Sequence, residues 1–247
     1  MLGVKFGDRH SYADFGLILS SKKIGSPELV KNLIDIPGRN GPLDLSEALT
    51  GYPVYSNRKL EFTFSKDCQT SVVWAKTMSD IMNGIHGKKM DIVLDDDPDF
   101  RYVGRVDVKE YTLKDQICTI PVECACEPFK YQINDEVVSF TGYPQTEWRR
   151  VANFSEPLQF EIDVPFVPAI TRNLRAVINV YDCASQEEAV EPVYAASRVF
   201  RAGGGVFVAF KIPPYMDCMV EFKVESASGY TGTFPSPVRI LWKRGSL

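Results

Sequence analysis

The sequence predicts a mainly β protein in two parts: an N-terminal β-sandwich-like domain with one amphipathic helix, then a C-terminal antiparallel β-sandwich. Three observations carry this. Apolar and polar residues alternate with period two through most of the chain. One segment, TSVVWAKTMSDIMNGIHG, breaks that period for helical spacing. After Leu158 the alternating runs recur roughly ten to fifteen residues apart, punctuated by Gly and Pro and without a helical stretch, which is the spacing of a sandwich.

In order along the chain, Val30, Ile34 and Ile36 alternate with Lys31 and Asp35 and predict an early strand. In KLEFTF, Leu60, Phe62 and Phe64 share a face; in MDIVL, Met90, Ile92 and Leu94 do. In YVGRVDV, Tyr102, Val106 and Val108 oppose Arg105 and Asp107. The helix, near residues 70–86, sets Trp74, Met78, Ile81, Met82 and Ile85 on one stripe that faces a core. Asp67 or Ser71 suits its start, and Gly84 or Gly87 its end. From Glu127 to Pro157 the period weakens among turn residues and aromatics, which predicts an arm or linker over residues 131–150. LQFEIDV, VFVAFKI, MVEFKVE and VRILWK then supply the second domain's strands, with Gly203–Gly205, Pro213-Pro214 and Gly229 between them. The expected domains are therefore 1–130, the arm at 131–150, and 151–247.

Composition narrows the function. The 247 residues are 45% hydrophobic, enough to bury a core, and the net charge is −4, so there is no basic footprint for nucleic acid or an anionic membrane. MLGVKFGDRH has no apolar signal region, and no apolar run nears the roughly 20 residues that span a bilayer, so a soluble protein made in a cytoplasm is expected.

Candidate chemistry is sparse. In QICTIPVECACE, Cys118, Cys124 and Cys126 alternate with Ile120 and Val122 on one strand face, where a free thiol behaves as a small hydrophobe. Cys124-x-Cys126 lacks the gap of a zinc knuckle, and Cys68, Cys183 and Cys218 suggest no pairing. DDDPD at Asp95–Asp99 is dense enough in oxygen for a cation, but it lacks the Gly and distal Glu of an EF-hand and reads as a hairpin turn. His10 and His86 are the only histidines, and neither lies near a nucleophile elbow. No metal, cofactor or catalytic residue is expected.

The richest stretch is DIPGRNGPLDLSEALTGYPVYSNRKLEFTF, Asp35–Phe64, where arginines flank glycine turns. A phosphate cradle would need a strand-to-helix junction, and here a strand pattern follows. This segment, then IMNGIHGKKMDIVLDDDPDFRYVGRVDV (Ile81–Val108), then CACEPFKY (Cys124–Tyr131), together resemble the distal tail protein family of phages with long non-contractile tails. The likeness covers about the first half of the chain. It implies a structural protein of the virion tail tip and no enzyme. Six copies would close into a ring between the major tail tube protein and the tail-associated hub or lysin protein, with receptor-binding proteins attached. It also implies a C-terminal domain similar to galectins or carbohydrate-binding modules, projecting outward. VANFSEPLQFEI resembles the start of that domain, with Asn153-Phe154-Ser155-Glu156 in place of the family's Asn-Gly turn.

Within the matched segments, Arg39, Asn57, Arg58 and Arg105 are the candidate subunit-interface residues. The alternative function is a carbohydrate-binding module or adhesin acting through the C-terminal domain, with Tyr143, Trp148, Tyr215 and Tyr230 as aromatics for stacking on sugar rings. A cell-wall glycosidase is a third class, for which only DDDPD and scattered acids speak.

Overall fold

The computed structural model describes residues 2–67, 70–114, 116–151, 157–164, 174–182, 191–200, 205–212, 218–226 and 228–247. The chain forms two compact units, Met1–Ile133 and Asn134–Ser246.

The first unit contains β1 (Val4–Phe6), β2 (Arg9–His10), β3 (Ile18–Ile24), β4 (Leu33–Ile34), β5 (Leu43–Asp44), β6 (Arg58–Asp67), α1 (Ser71–Gly84), β7 (Lys89–Leu94), β8 (Asp97–Val108), β9 (Thr112–Lys114) and β10 (Ile117–Gln132). One antiparallel sheet runs β2-β1-β7-β8-β10-β6-β3, with β9 also on β10. In a flat sheet, β1 and β6 would lie about 19 Å apart. Instead the Phe6 ring in β1 meets Phe62 and Phe64 of β6 edge-on, at centroid distances of 6.0 and 6.1 Å. The sheet therefore curls over its own core, which makes the unit sandwich-like without a separate second sheet.

Period two drives that curl. Leu60, Phe62 and Phe64, then Tyr102, Val106 and Val108, then Cys118, Ile120, Val122, Cys124 and Cys126 are all buried on the inner face. Helix α1 adds Met78 and Ile81 to the same core, and Ile85 follows at its C-cap. Thr70 caps it by accepting from Val73 N at 3.3 Å, in place of the expected Asp67 or Ser71. Met82, expected on the buried stripe, is 38% exposed, because the stripe is narrower than the helix. Gly84 is the last helical residue.

DDDPD is a hairpin turn: Asp95 and Asp96 join β7 to β8, and Leu94 pairs with Asp97. Its first three carboxylates turn to different neighbours. Asp95 accepts from Gly3 N at 2.7 Å and meets His10 Nε2 at 3.2 Å, Asp96 pairs with Lys22, and Asp97 with Lys130 at 2.7 Å. Among the described residues no group of three acidic, Cys or His side chains converges as a metal site would.

The second unit contains β11 (Glu136–Tyr143), β12 (Gln145–Val151), β13 (Leu158–Val164), β14 (Leu174–Asp182), β15 (Tyr194–Phe200), β16 (Gly205–Ile212), β17 (Cys218–Ser226) and β18 (Gly232–Trp242). Two antiparallel sheets, β11-β18-β13-β16 and β12-β17-β14-β15, enclose one core. Phe160 and Trp242 from one sheet meet Phe222 from the other, at 5.4 and 5.2 Å.

Residues 131–150, read from sequence as an arm or linker, differ in the structure. Residues 136–151 are β11 and β12, the first strand of each sheet, and the chain changes sheet at Tyr143-Pro144. Their alternation is hard to see because both are edge strands with few inward residues: Val138, Phe140 and Tyr143 in β11, Val151 in β12. No helix among the described residues is long and apolar enough to cross a membrane.

Candidate functional site

Between β3 and β6 the first unit extends a segment that it does not bury. Among the described residues, none from Ile18 to Asn57 is buried. The early strand expected over Val30–Ile36 shrinks to Leu33–Ile34, paired only with Leu43–Asp44. The segment holds itself together locally. Val30 N donates to Val54 O and Leu45 N to Asn32 O, both at 2.8 Å, and Asp44 accepts from Ser46 N at 2.9 Å. Its apolar side chains face solvent: Leu33 is 49%, Ile34 45%, Ile36 42% and Leu49 99% exposed. Four large apolar side chains left in solvent within one segment are uncommon on the surface of a monomer.

Arg39 sits at the tip of a tight turn in this segment. Arg39 N donates to Ile36 O at 3.1 Å across Pro37-Gly38, and Gly38 has φ +83°. Proline at the second position and a left-handed glycine at the third are what a type II turn requires. The turn, in the loop that joins β4 to β5, leaves Arg39 exposed.

The segment returns to the sheet beside a hollow of about 550 Å³, lined by Asn57, Arg58, Lys59, Arg105 and their neighbours on β8 and β10. Three of the four sequence-predicted interface residues thus come together, and Arg39 stands apart. Register explains the grouping: Lys59, Ala125 and Arg105 lie directly across from one another on the solvent face. One position away the register reverses the face, so the Arg58 side chain lies on the core side. Arg58 is 6% exposed, its guanidinium 5.5 Å from the Tyr102 ring centroid and its Nε without a hydrogen-bond partner. Arg58 is therefore a buried cation over an aromatic face, and only its neighbours meet solvent.

Charges on the solvent face pair along and across strands, with Glu123 of β10 at the centre. Lys59 reaches Glu61 at 3.1 Å and Glu123 at 2.9 Å; Lys109 reaches Glu123 at 3.2 Å and also pairs with Asp107. The Lys59 bond holds the Glu123 carboxyl below the usual range, and Lys109 does the same for Asp107. Arg105 spends its Nη1 on Gly87 O. The histidines are structural: His86 Nδ1 accepts from Val108 N at 3.1 Å, and His10 Nδ1 from Ala13 N at 3.1 Å. With Nδ1 accepting, neither ring is poised as a general base toward a nucleophile.

The four aromatic candidates of the second unit separate. Tyr143 is 8% exposed and packs on Phe234 at 5.2 Å, inside the core. Trp148 is 46% exposed on β12, against Tyr181 at 5.3 Å. Tyr230 is 54% exposed in the turn before β18. Tyr215 lies outside the described residues, as do Cys68, Cys183, Gly203-Gly204, Pro213-Pro214 and Asn153–Glu156.

By sequence the chain matches no family model and no curated protein. By structure it superposes on the crystal structure of the SPP1 Dit (gp 19.1) protein, a paradigm of the hub adsorption apparatus in phages infecting Gram-positive bacteria. The TM-score is 0.65, with all of both chains covered, at 12% identity. The fold is Dit-like. Infectious bursal disease virus, Gt strain, aligns with a TM-score of 0.18, too low to bear on the fold. The superposition spans both units, although of the segments quoted for the family resemblance only VANFSEPLQFEI lies after Ile133. The signal for the second unit was its alternation; the packing of Tyr181 on Trp148 has no local signal, since both are ordinary strand positions far apart in the chain.

Proposed function

We propose that the chain is a structural protein of a phage tail tip: six copies close into a ring that joins the tail tube to the tail-associated hub and receptor-binding apparatus. The observation that carries this is the superposition over the whole of both chains with a phage hub protein. The unburied segment from Ile18 to Asn57 supports it, since a ring needs a head-to-tail contact in which one copy's projection meets a different surface on the next. In this reading Leu33, Ile34, Ile36 and Leu49 seat on the neighbouring copy, Arg39, Asn57 and Arg105 fix the register of the contact, and Arg58 holds β6 from the core side. The protein's work is assembly and needs no catalytic step or cofactor. Its place is the virion tail tip, and its partners are its own copies, the major tail tube protein and the hub or lysin protein.

Negative-stain microscopy of the purified chain, alone and mixed with its tube protein, tests the reading. Six-fold rings are expected. Particles that stay monomeric in both samples at high micromolar concentration overturn it. Replacing residues 27–55 with a short Gly-Ser linker separates the two parts of the claim. Loss of rings with unchanged thermal stability supports the contact assigned to the segment, and rings that persist remove it.

A further inference from the structure

The chain contains the dipeptide Asn-Gly twice, at Asn40-Gly41 and at Asn83-Gly84. Neither the core nor ring assembly uses the chemistry that this pair carries. Once the glycine amide nitrogen gives up its proton, it can attack Cγ of the preceding asparagine. A C–N bond forms, the Cγ–Nδ2 bond breaks and ammonia leaves, so the product is a five-membered succinimide. Water then opens that ring. Addition at Cγ gives aspartate, and addition at the backbone carbonyl gives isoaspartate, in which the chain runs through Cγ. The sum is one water consumed and one ammonia released, with no oxidant and no enzyme. Two local conditions control the rate: the nitrogen must be free of a hydrogen bond, and the backbone must be able to bring it to Cγ. Glycine helps with both, because no Cβ crowds the nitrogen or restricts its dihedrals.

The two copies meet these conditions differently. Asn40 and Gly41 are both exposed in the loop between β4 and β5. Gly41 has φ +79°, and a Cβ there would meet nothing within 4 Å. Neither residue makes a hydrogen bond among the described residues, so the Gly41 N–H is open to water and base. The loop is anchored only by the two-residue pairing of β4 with β5, so its backbone turns at little cost. Asn83 is exposed as well, so access to solvent does not separate the two. The backbone separates them. Asn83 and Gly84 close helix α1, where ψ is fixed and the Gly84 N–H is committed to the carbonyl four residues back. Lys88 Nζ donates to the carbonyl oxygens of Asn83 at 2.6 Å and Gly84 at 3.0 Å, which ties the same turn from outside. A Cβ on Gly84 would lie 3.2 Å from Phe15 Cζ, so this glycine is also packed. Bringing its nitrogen to Asn83 Cγ would require opening the last turn of the helix.

We infer that Asn40 is a site of spontaneous deamidation in the native protein, with the Gly41 nitrogen as nucleophile, and that the fold protects Asn83 from the same reaction. Conversion places a carboxylate directly beside Arg39, at the tip of the projecting segment, and offsets its charge. Isoaspartate also adds one atom to the backbone of the loop. The surface that this segment offers therefore changes with the age of the chain. The site rests on the exposure and backbone freedom of the segment, not on what the segment meets.

Ageing of the full chain in mildly alkaline buffer, with and without denaturing urea, tests the assignment. Cleavage after lysine yields residues 32–59 and 77–88, one peptide for each Asn-Gly, and tandem mass spectrometry locates the change from amide to acid. In the native sample Asn40 is expected to convert at least about tenfold faster than Asn83, and in urea the two rates should converge. The native rate at Asn40 should rise with pH, because base removes the Gly41 proton. Asn40→Gln, whose longer side chain must close a larger ring, should lose the fast conversion at unchanged melting temperature. Isoaspartate among the products supports the succinimide route, whereas aspartate alone would mean direct hydrolysis and would remove Gly41 as nucleophile. Matching native rates at Asn40 and Asn83, or an Asn40 that converts in urea but stays intact in the native chain, overturn the proposal. Rings are not read in this experiment, so its failure leaves the tail-tip reading standing.

Discussion

At the scale of single residues, the core of the first unit is set by what fits between β8 and β10. A Cβ on Gly104 would lie 2.4 Å from Cys126 Sγ and 2.8 Å from the Ala125 carbonyl oxygen, and the backbone oxygen cannot rotate away. Gly104→Ala is expected to lower the unfolding free energy by about 1–3 kcal/mol in urea titrations. The thiols beside it are inert for the same reason. Burial pushes Cys126 up to about 12, against a smaller opposing pull from Arg58, and raises Cys124 as well. In the native protein the peptide carrying Cys118, Cys124 and Cys126 should stay unlabelled by iodoacetamide at pH 8 and react fully in denaturant. A folded-state pKa above the unfolded value means that stability is fully present below about pH 8.5 and is lost as pH rises. Melting temperature should therefore fall more steeply between pH 8 and 10 in the wild type than in Cys124→Ala/Cys126→Ala; equal slopes would count against buried neutral thiols. Arg58 belongs with these core residues. Arg58→Ala removes a buried stem and a cation over Tyr102, so about 1–2 kcal/mol of stability should go with it. Rings lost at unchanged melting temperature would instead make Arg58 a direct contact.

At the scale of elements, the helix and the projecting segment behave as opposites. Helix α1 has one buried stripe, and Ile81 at its centre is 0% exposed while Met82 beside it is 38% exposed. Ile81→Ala should cost about 2–5 kcal/mol and Met82→Ala less than about 1, measured by chemical denaturation. Comparable losses at both positions would mean that the helix packs through a wider face. Between β3 and β6, residues 27–55 bury no side chain fully and are held mainly by their own backbone bonds, with Tyr55 against Phe129 at 5.9 Å where the segment returns, so local opening there should be cheap. Amides such as Val30 and Leu45 are expected to exchange with solvent far faster than those of β6 and β10 in the isolated chain. In assembled rings they should be protected.

At the scale of the whole molecule, two units carry two surfaces of different chemistry. The first offers an apolar projection and a cross-strand lattice of paired charges, suited to a repeated protein contact. The second offers a sheet face that carries Trp148 against Tyr181 and the ion pairs of Arg175 and Lys223 with Glu225. Exposed ion pairs such as Lys59–Glu123 add little to stability, so raising salt should change the melting temperature slightly while altering how fast copies associate. Much of this organisation was legible residue by residue. Leu60, Phe62 and Phe64 name an inner face, the cysteines of QICTIPVECACE name another, and DDDPD names a hairpin, because each depends on neighbours one or two positions away. The strands at 136–151 were not legible, because an edge strand with two or three inward residues looks like a loop. Neither was the burial of Arg58, whose charge suggests surface until register fixes its side.

The sequence by itself determined that this protein is built of alternating strands with one helix, that Cys118, Cys124 and Cys126 are core residues, and that its acidic cluster turns a hairpin. These follow from period, turn chemistry and local hydrogen bonding, all of short range. Only the tertiary structure decided that the first sheet curls until Phe6 touches Phe62, that Asn57 and Arg105 share a hollow, and that Trp148, Glu221 and Asn179 fall in one row. Those residues lie tens of positions apart, and strand order and register, which no local pattern encodes, bring them to the same face.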